Sequence, residues 1–335
     1  MSLSKIILFI LFTSLLFAQN QKFTLKLDPN FPRWLQTQTI RTDQTSGIAY
    51  IKSDSVSKYF LLADDIGKIH TLEIGKDNEF TITELSFSDS AKEFISNFPK
   101  ADFEEIVYDR STNSIYLSIE GNGENYQDFV GIFKLHFKFD KFPYSQITEF
   151  EKINFTPNEL FLKYTYKNIG YEGLAVDHNY FYLGLEGFLN NFQFADSTLI
   201  FIATKSDKQI IKQISTKNLG IHTICGLYSD EDYSLWGIDR NQRKIFHLTF
   251  DENFNVKNCD LYNCSAQIPS YPGLNYNISL ESITEDNENN LYLIDDPWPK
   301  VYVPGDDTLK KLDAKTINNF KEVVPTIFKY HIINK

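Results

Sequence analysis

Ten positions carry the chemistry of this chain. Glu104, Glu172 and Glu281 open the apolar segments EEIVY, EGLAV and ESITE, while Ser46 and Cys225 open the related segments SGIAY and CGLYS. A second apolar segment follows each of them and ends in an acid, at Asp64, Glu120, Glu186, Asp239 and Asp295. The two positions are 14 residues apart for Glu172 and Glu186, for Cys225 and Asp239, and for Glu281 and Asp295, and 16 apart for Glu104 and Glu120. Carboxylates gathered in such number repel unless they are protonated, paired with cations or bound to a metal ion. Many hard oxygen donors suit calcium, ahead of magnesium or manganese. The candidate ligands are therefore Glu104, Glu120, Glu172, Glu186, Glu281, Asp64, Asp239 and Asp295, with the five glutamates as the preferred set. Each acid taken alone also fits a simpler role, capping a strand end and accepting backbone N–H bonds.

Cations recur beside these acids. Lys100 and Lys167 precede two of the first segments, Arg240 follows Asp239, and His222 precedes Cys225. A metal ion with Lys100, Lys167 and Arg240 nearby would hold a small phosphorylated or carboxylated ligand, and the cations would steady developing negative charge. In that reading Glu172 and Glu281 serve the metal-activated water and His222 is the general-base candidate.

What must position these residues is a repeat. Aligned on the first position, the copies start at Ser46, Glu104, Glu172, Cys225 and Glu281, with offsets of 58, 68, 53 and 56 residues. Periods of this size signal a repeat architecture. In each copy a short strand, a polar turn and a second strand lead to an alternating third strand, such as KIHTLEI, GIFKLHF, LIFIATK, KIFHLTF and TIFKYHI. Most copies add a fourth, as in TITELSF, ITEFEKI, IIKQIST and VKNCDLY. Period-two alternation rich in β-branched and aromatic residues marks strands. Four antiparallel strands repeated radially make an all-β fold, the β-propeller. The count gives five blades, or six if residues 29–45 or the long second repeat hide a degenerate one. The fifth copy lacks a fourth strand, and KFTLKLD (Lys22 to Asp28) is the expected supplier, closing the ring and hiding two sheet edges. Residues 89–98 and 308–320 are expected to form short helices in loops.

Composition narrows the partners. Net charge is −11, with 44 acids against 33 Lys and Arg, which excludes nucleic acid, whose phosphates need a basic surface. Lys5, the apolar run Ile6 to Phe17 and Ala18 read as a signal peptide over residues 1–18. The run is shorter than the roughly 20 apolar residues of a spanning helix, and no later stretch is long enough to span. The expectation is a cleaved leader, a monomeric propeller over 19–335, and a secreted or periplasmic location; a retained anchor is the alternative. Cys259 and Cys264 stand as either a disulfide or two free thiols, and Cys225 as a packed small residue.

The strings SGIAY…LLADDIGKIHTLEI, DFEEIVYDRSTNSIYLSIEGN, GYEGLAVDHNYFYLGLEG and LESITEDNENNLYLIDDP together resemble the phytase-like (esterase-like activity of phytase) and SdiA-regulated β-propeller families, over roughly Thr45 to Asp296. The resemblance implies an exported five-bladed ring with calcium or another divalent ion at its centre. The DDPW stretch lacks residues of the phytase strand DDPAIW, so phytase activity itself is not carried over. Two functions follow: a metal-dependent phosphoester or ester hydrolase, or a non-catalytic propeller with a structural metal that binds a ligand or an envelope component. No GxSxG or HExxH motif supplies another chemistry.

Overall fold

The computed structural model describes residues 23–190, 193–231, 233–296, 298, 301 and 303–334. The leader expected over 1–18 lies outside the described residues. Five antiparallel sheets form the blades of a β-propeller. Blade 1 runs Thr45–Ser53, Ser57–Asp64, Lys68–Gly75 and Phe80–Glu84 from the inside outward. Blade 2 is Phe103–Asp109, Ser114–Ile119, Gly131–Phe137 and Gln146–Lys152. Blade 3 is Gly173–Val176, Tyr180–Gly184, Leu199–Thr204 and Ile210–Ser215. Blade 4 is Gly226–Ser229, Ser234–Asp239, Lys244–Phe250 and Val256–Asn263. Blade 5 is Leu280–Glu285, Asn290–Asp295, Thr326–Asn334 and, from the other end of the chain, Phe23–Leu27. Phe23 pairs with Asn334 and Leu27 with Tyr330, so the N-terminal strand closes the ring as expected.

The segments that left six blades open are accounted for within five. Arg33–Trp34 adds to the inner end of Thr326–Asn334, and Ser86–Phe87 pairs in parallel with the outer strand of blade 2. The extra length of the second repeat is spent on the short helices Tyr126–Phe129 and Asn158–Leu162 and the loops around them, while the helix Asp89–Ser96, which Ser88 caps by accepting the Ala91 N–H, lies in the connection leading to blade 2. Helices Asp306–Leu309 and Ala314–Lys321 fill the loop before the last strand.

Inner strands touch their neighbours in the ring order 1-2-3-4-5-1. Between adjacent blades lies an apolar cluster. Ile106 and Leu61 meet between blades 1 and 2, Leu174 and Tyr116 between 2 and 3, Leu227 and Tyr182 between 3 and 4, Ile238 and Ile283 between 4 and 5, and Tyr292 and Tyr50 between 5 and 1. Burying each such side chain is worth about 1.5–3 kcal/mol. The core is therefore a set of wedges, and the axis is left for polar groups.

The residue after each first position decides how close the inner strands come. A Cβ on Gly47 would lie 2.4 Å from the Glu104 carbonyl oxygen, and one on Gly226 2.8 Å from that of Glu281. In blade 2 the same position is Glu105, whose side chain occupies the space those glycines leave.

Candidate metal and ligand site at the channel mouth

A cavity of about 550 Å³ opens where the inner strands begin. Its wall holds Ser46, Glu104, Glu172 and Glu281 from the first positions. It also holds Glu120 and Glu186, as the spacing required. Asp64, Asp239 and Asp295 are absent from the wall, and this corrects the expectation that all five second-position acids converge. Asp64 accepts from Thr45 Oγ1 (2.8 Å) and the Asp43 N–H (3.1 Å). Asp239 accepts from the His222 N–H (2.7 Å), Thr223 Oγ1 (3.0 Å) and the Gln242 N–H (3.0 Å). Asp295 accepts from Tyr276 Oη (2.6 Å), Thr326 Oγ1 (3.2 Å) and the Ser279 N–H. These three tie down the loops that lead into the inner strands.

The cause is register. The Glu120 N–H bonds the Asp102 carbonyl and the Glu186 N–H bonds that of Gly170; Asp65 and Asp296 make the same bond to Gln44 and Ser279. Asp65 and Asp296 are thus the structural equivalents of Glu120 and Glu186. In blade 5 the connection between Glu285 and Leu291 is one residue longer than that between Val176 and Phe181, an extra residue that the 14-residue spacing conceals. In blade 4 the connection between Ser229 and Leu235 is one residue longer than that between Val176 and Phe181. A one-residue slip turns a side chain to the other side of the strand. Asp65 and Asp296 line the cavity instead, and blade 4 presents Arg240.

Arg240 is the centre of the mouth's electrostatics. It donates to Glu281 Oε2 at 2.5 Å and to Glu186 Oε1, and its Nη2 lies 3.6 Å from Glu172 Oε2. The last distance is electrostatic contact without a hydrogen bond, since Glu172 Oε2 is buried and unpartnered. Ser279 Oγ donates to the other oxygen of Glu281 at 2.7 Å. Among the described residues the wall carries eight carboxyls (Asp65, Asp102, Glu104, Glu120, Glu172, Glu186, Glu281 and Asp296) against two cations, Arg240 and Lys100. Two cations cannot balance eight charges, and the carboxyls respond by holding protons. Burial, then the charges of Glu172 and Asp102, push Glu104 and Glu120 well above the usual carboxylate range. Burial and Glu172 do the same to Glu186 against the pull of Arg240. Burial raises Glu281 to about 8 although Arg240 opposes it, and raises Asp65 to about 6 against the pull of Lys100.

Two triads bring ligand oxygens within 4.8 Å of one another: Glu120 with Glu172 and Glu186, and Asp102 with Glu104 and Glu120. Oxygens around one calcium ion, each at about 2.3–2.6 Å from it, span at most about 5 Å. Glu120 Oε1 and Glu172 Oε2 are buried and have no hydrogen-bond partner among the described residues. Buried carboxylate oxygens that lack a hydrogen-bond donor fit a hard cation. A third set joins Glu172 and Glu281 to Cys225, whose thiol burial holds well above its ordinary pKa. Cys225 therefore stays a neutral thiol in the gap of the inner ring.

Of the basic candidates, Lys100 lines the mouth, bonding Asp65 at 3.2 Å and Asp102. Lys167 is exposed and outside the wall. His222 also lies outside it, its Nδ1 2.9 Å from Gln242 Nε2 and 3.8 Å from Asp196. The loop that places the His222 N–H on Asp239 turns its ring away from the carboxyls. Trp298 lines the rim with Leu189 and Phe194, whereas Trp236 is core. Cys259 and Cys264 are separate free thiols, the first 3.5 Å from the Leu219 carbonyl and the second 3.0 Å from Tyr330 Oη.

Sequence spacing missed Asp65, Asp102 and Asp296 as wall residues. Their signal was the acid doublets Asp64-Asp65 and Asp295-Asp296, in which the second member faces the cavity. It also missed the role of Glu105. That residue is fully buried and accepts from Ser282 Oγ, the Ile106 N–H (3.2 Å) and the Ile48 N–H (3.4 Å). Its Oε2 points at Gly226. From blade 2 it thus reaches blades 1, 4 and 5 and forms the floor of the mouth.

No protein-family model matches the chain, and no curated protein is similar to it. Solved structures are. One is the PQQ-bound form of an aldose sugar dehydrogenase from Streptomyces coelicolor, at 12% identity, 93% of this chain, 98% of that chain and a TM-score of 0.46. Another is a GH43_1 enzyme from Xanthomonas citri complexed with xylose, at 9% identity, 90% and 89% coverage and a TM-score of 0.48. A third is the soluble aldose sugar dehydrogenase of Escherichia coli in its apo-form, at 10% identity, 92% and 99% coverage and a TM-score of 0.45. Among the described residues no helix is long and apolar enough to cross a membrane.

Proposed function

We propose that the mouth is a divalent-cation site, that the cation is calcium, and that Glu120, Glu172 and Glu186 hold it with Glu104 and Asp102 beside them. The observation that carries this reading is that Glu120 and Glu172, each with a buried oxygen that lacks a hydrogen-bond partner among the described residues, bring a carboxylate oxygen within 4.8 Å of one from Glu186. The divalent ion supplies the charge that eight carboxyls and two cations lack, and it displaces the protons those carboxyls otherwise hold. When bound, such an ion polarises a phosphoryl or carbonyl oxygen and lowers the pKa of a water. Glu281, at about 8 and aligned by Ser279 and Arg240, stands next to this set as a proton carrier. The proposed activity is hydrolysis of a small phosphoester or ester, in keeping with the resemblance to the phytase-like and SdiA-regulated families. Export with a leader over 1–18 belongs to the same proposal.

One observation favours a second reading. Arg240 and Lys100 both spend their charge on protein carboxylates and Lys167 is outside the wall, so among the described residues no wall cation is left over for an anionic substrate. The alternative is therefore a propeller with a structural metal that binds a ligand without turning it over.

Thermal melts with calcium and with EDTA test the metal. At about 100 times its Kd, calcium adds roughly 2.7 kcal/mol of stability. Glu120→Gln combined with Glu172→Gln should melt at or above wild type in EDTA, because it removes repulsion, and should lose the calcium shift. No shift in the wild type refutes the site. A screen with p-nitrophenyl phosphate and p-nitrophenyl esters, with and without EDTA, then separates turnover from binding.

A further inference from the structure

The disc has a second cavity, of about 490 Å³, on the face where the inner strands end. Glu105 and the glycines packed around it stand between the two, so this cavity is not an extension of the acidic mouth. Its wall includes the rings of Tyr50, Tyr108 and Tyr228 and the charged groups of Glu285, Asp230 and Arg110. We propose that it binds a small organic ammonium ion, held by the Glu285 carboxylate and the tyrosine faces.

The charges at this face sort into those already satisfied and those left over. Asp286 is paired with Lys58 at 2.5 Å and Asp109 with Lys205 at 2.6 Å. Glu231 accepts the His178 N–H at 3.1 Å. Glu285 is different. It is 8% exposed, it lines the cavity, and among the described residues its carboxylate has neither a hydrogen bond nor an ion pair within 4 Å. Arg110 reaches only its backbone carbonyl, at 3.5 Å, and otherwise lies over the Tyr50 ring, 5.3 Å from its centre. Burial with the charges of Asp230 and Asp286 pushes Glu285 up to about 7, against the pull of Arg110. Asp230 Oδ2 lies 3.8 Å from His247 Nε2, which is itself 2.6 Å from Ser234 Oγ.

A carboxylate that faces a cavity with no protein donor leaves its oxygens to a ligand that brings one. Three facts select an ammonium group. Among the described residues of the wall, the acids without a lysine partner are Glu285, Asp230 and Glu231 against the one arginine, Arg110, so the cavity favours positive charge. The Tyr50 and Tyr108 hydroxyls are engaged with Asn287 (2.9 Å) and Asn113 (2.9 Å), which leaves their rings as the surfaces on offer. Aromatic faces beside a carboxylate attract organic cations, and the Tyr50 ring already hosts one in Arg110. An anion would meet Glu285 and Asp230, and a bare metal ion would gain nothing from the rings.

Titration calorimetry with butylammonium chloride tests this, with sodium butyrate as the matched anion. The wild type should bind butylammonium and not butyrate. Glu285→Gln keeps the shape and removes the charge, and should weaken binding by about 30-fold or more, as truncating a buried charge pair does. Glu172→Gln, in the opposite mouth, should leave the affinity unchanged. A folded wild type that gives no butylammonium signal, butyrate binding as tightly, or a loss produced by Glu172→Gln in place of Glu285→Gln would each overturn the proposal.

Discussion

Replacing Arg240 by methionine separates its electrostatic role from its packing. The side chain is 17% exposed, bonds Glu281 and Glu186, and stands 3.6 Å from Glu172. Methionine keeps an apolar stem of similar length and deletes the charge. Removing one partner of a buried pair costs about 3–5 kcal/mol. For a chain of this size that is a fall in Tm of roughly 4–7 °C. The carboxyls have a way to limit the damage, because they can take up protons. Glu281 sits at about 8 with Arg240 present, and without it all three pKa values rise further. The folded variant then binds more protons than the folded wild type, so its stability falls more steeply as pH rises. The expected result, from melts in EDTA, is the full loss at pH 8 and a much smaller one at pH 5.5, where the carboxyls are protonated in both proteins. Equal losses at the two pH values would refute the reasoning, since packing alone is indifferent to pH.

The wild type itself should lose stability between pH 6.5 and 8 without calcium. Glu281 (about 8), Asp64 and Asp295 (about 7) have folded pKa values above those of the open chain, so the folded state holds more protons in that window. Glu281 alone contributes a fall of about 2 kcal/mol, read from urea midpoints. Below pH 6.5 buried His70, lowered to about 4, works in the opposite direction and limits the gain. Asp239→Ala should cost about 1–3 kcal/mol by orphaning the His222 and Gln242 N–H groups, with the calcium shift intact; Glu186→Gln should do the reverse. Glu105→Gln should lie within about 1 kcal/mol of wild type in denaturant titrations, because burial already favours the neutral form. Glu105→Ala should cost several times more, through a void and a stranded Ser282 hydroxyl.

The propeller was legible in the chain because each blade repeats one pattern of alternation, and alternation is local. The closing strand was legible by deficit: the fifth copy lacked an edge and the N-terminus had one to give. The site was legible only to within one residue. Glu120 and Glu186 were found because blades 2 and 3 join their two inner strands by turns of equal length. Asp65 was displaced by a bulge between Tyr50 and Lys52 in blade 1, and Asp296 and Arg240 by longer turns in blades 5 and 4, and a shift of one residue decides which side chain sees the axis. His222 and Lys167 were chosen for closeness in sequence to inner-strand starts. Sequence closeness does not fix orientation: the Asp239 cap turns the loop of His222, and Lys167 faces solvent. Glu105 was invisible as a floor because its partners come from three other blades.

The symmetry of the fold is what makes its departures meaningful. Five equivalent wall positions carry Asp65, Glu120, Glu186, Arg240 and Asp296, and five first positions carry Ser46, Glu104, Glu172, Cys225 and Glu281. Blade 4 alone has a cation at one and a neutral thiol at the other, so the ring has a positive side. Arg240 neutralises the acids flanking it, Glu186 from blade 3 and Glu281 from blade 5. It makes no ion pair with Glu104 or Glu120 of blade 2, and Lys100 pairs with Asp65 and Asp102, leaving those two without one among the described residues. Uncompensated charge is thus concentrated between blades 2 and 3, and a cation entering the mouth goes there for the same reason that Arg240 stays in blade 4. If this is correct, moving the positive charge should move the ion. Glu120→Lys supplies a fixed cation at that point and should abolish the calcium shift while raising the Tm in EDTA. A variant that still responds to calcium would place the ion elsewhere in the ring.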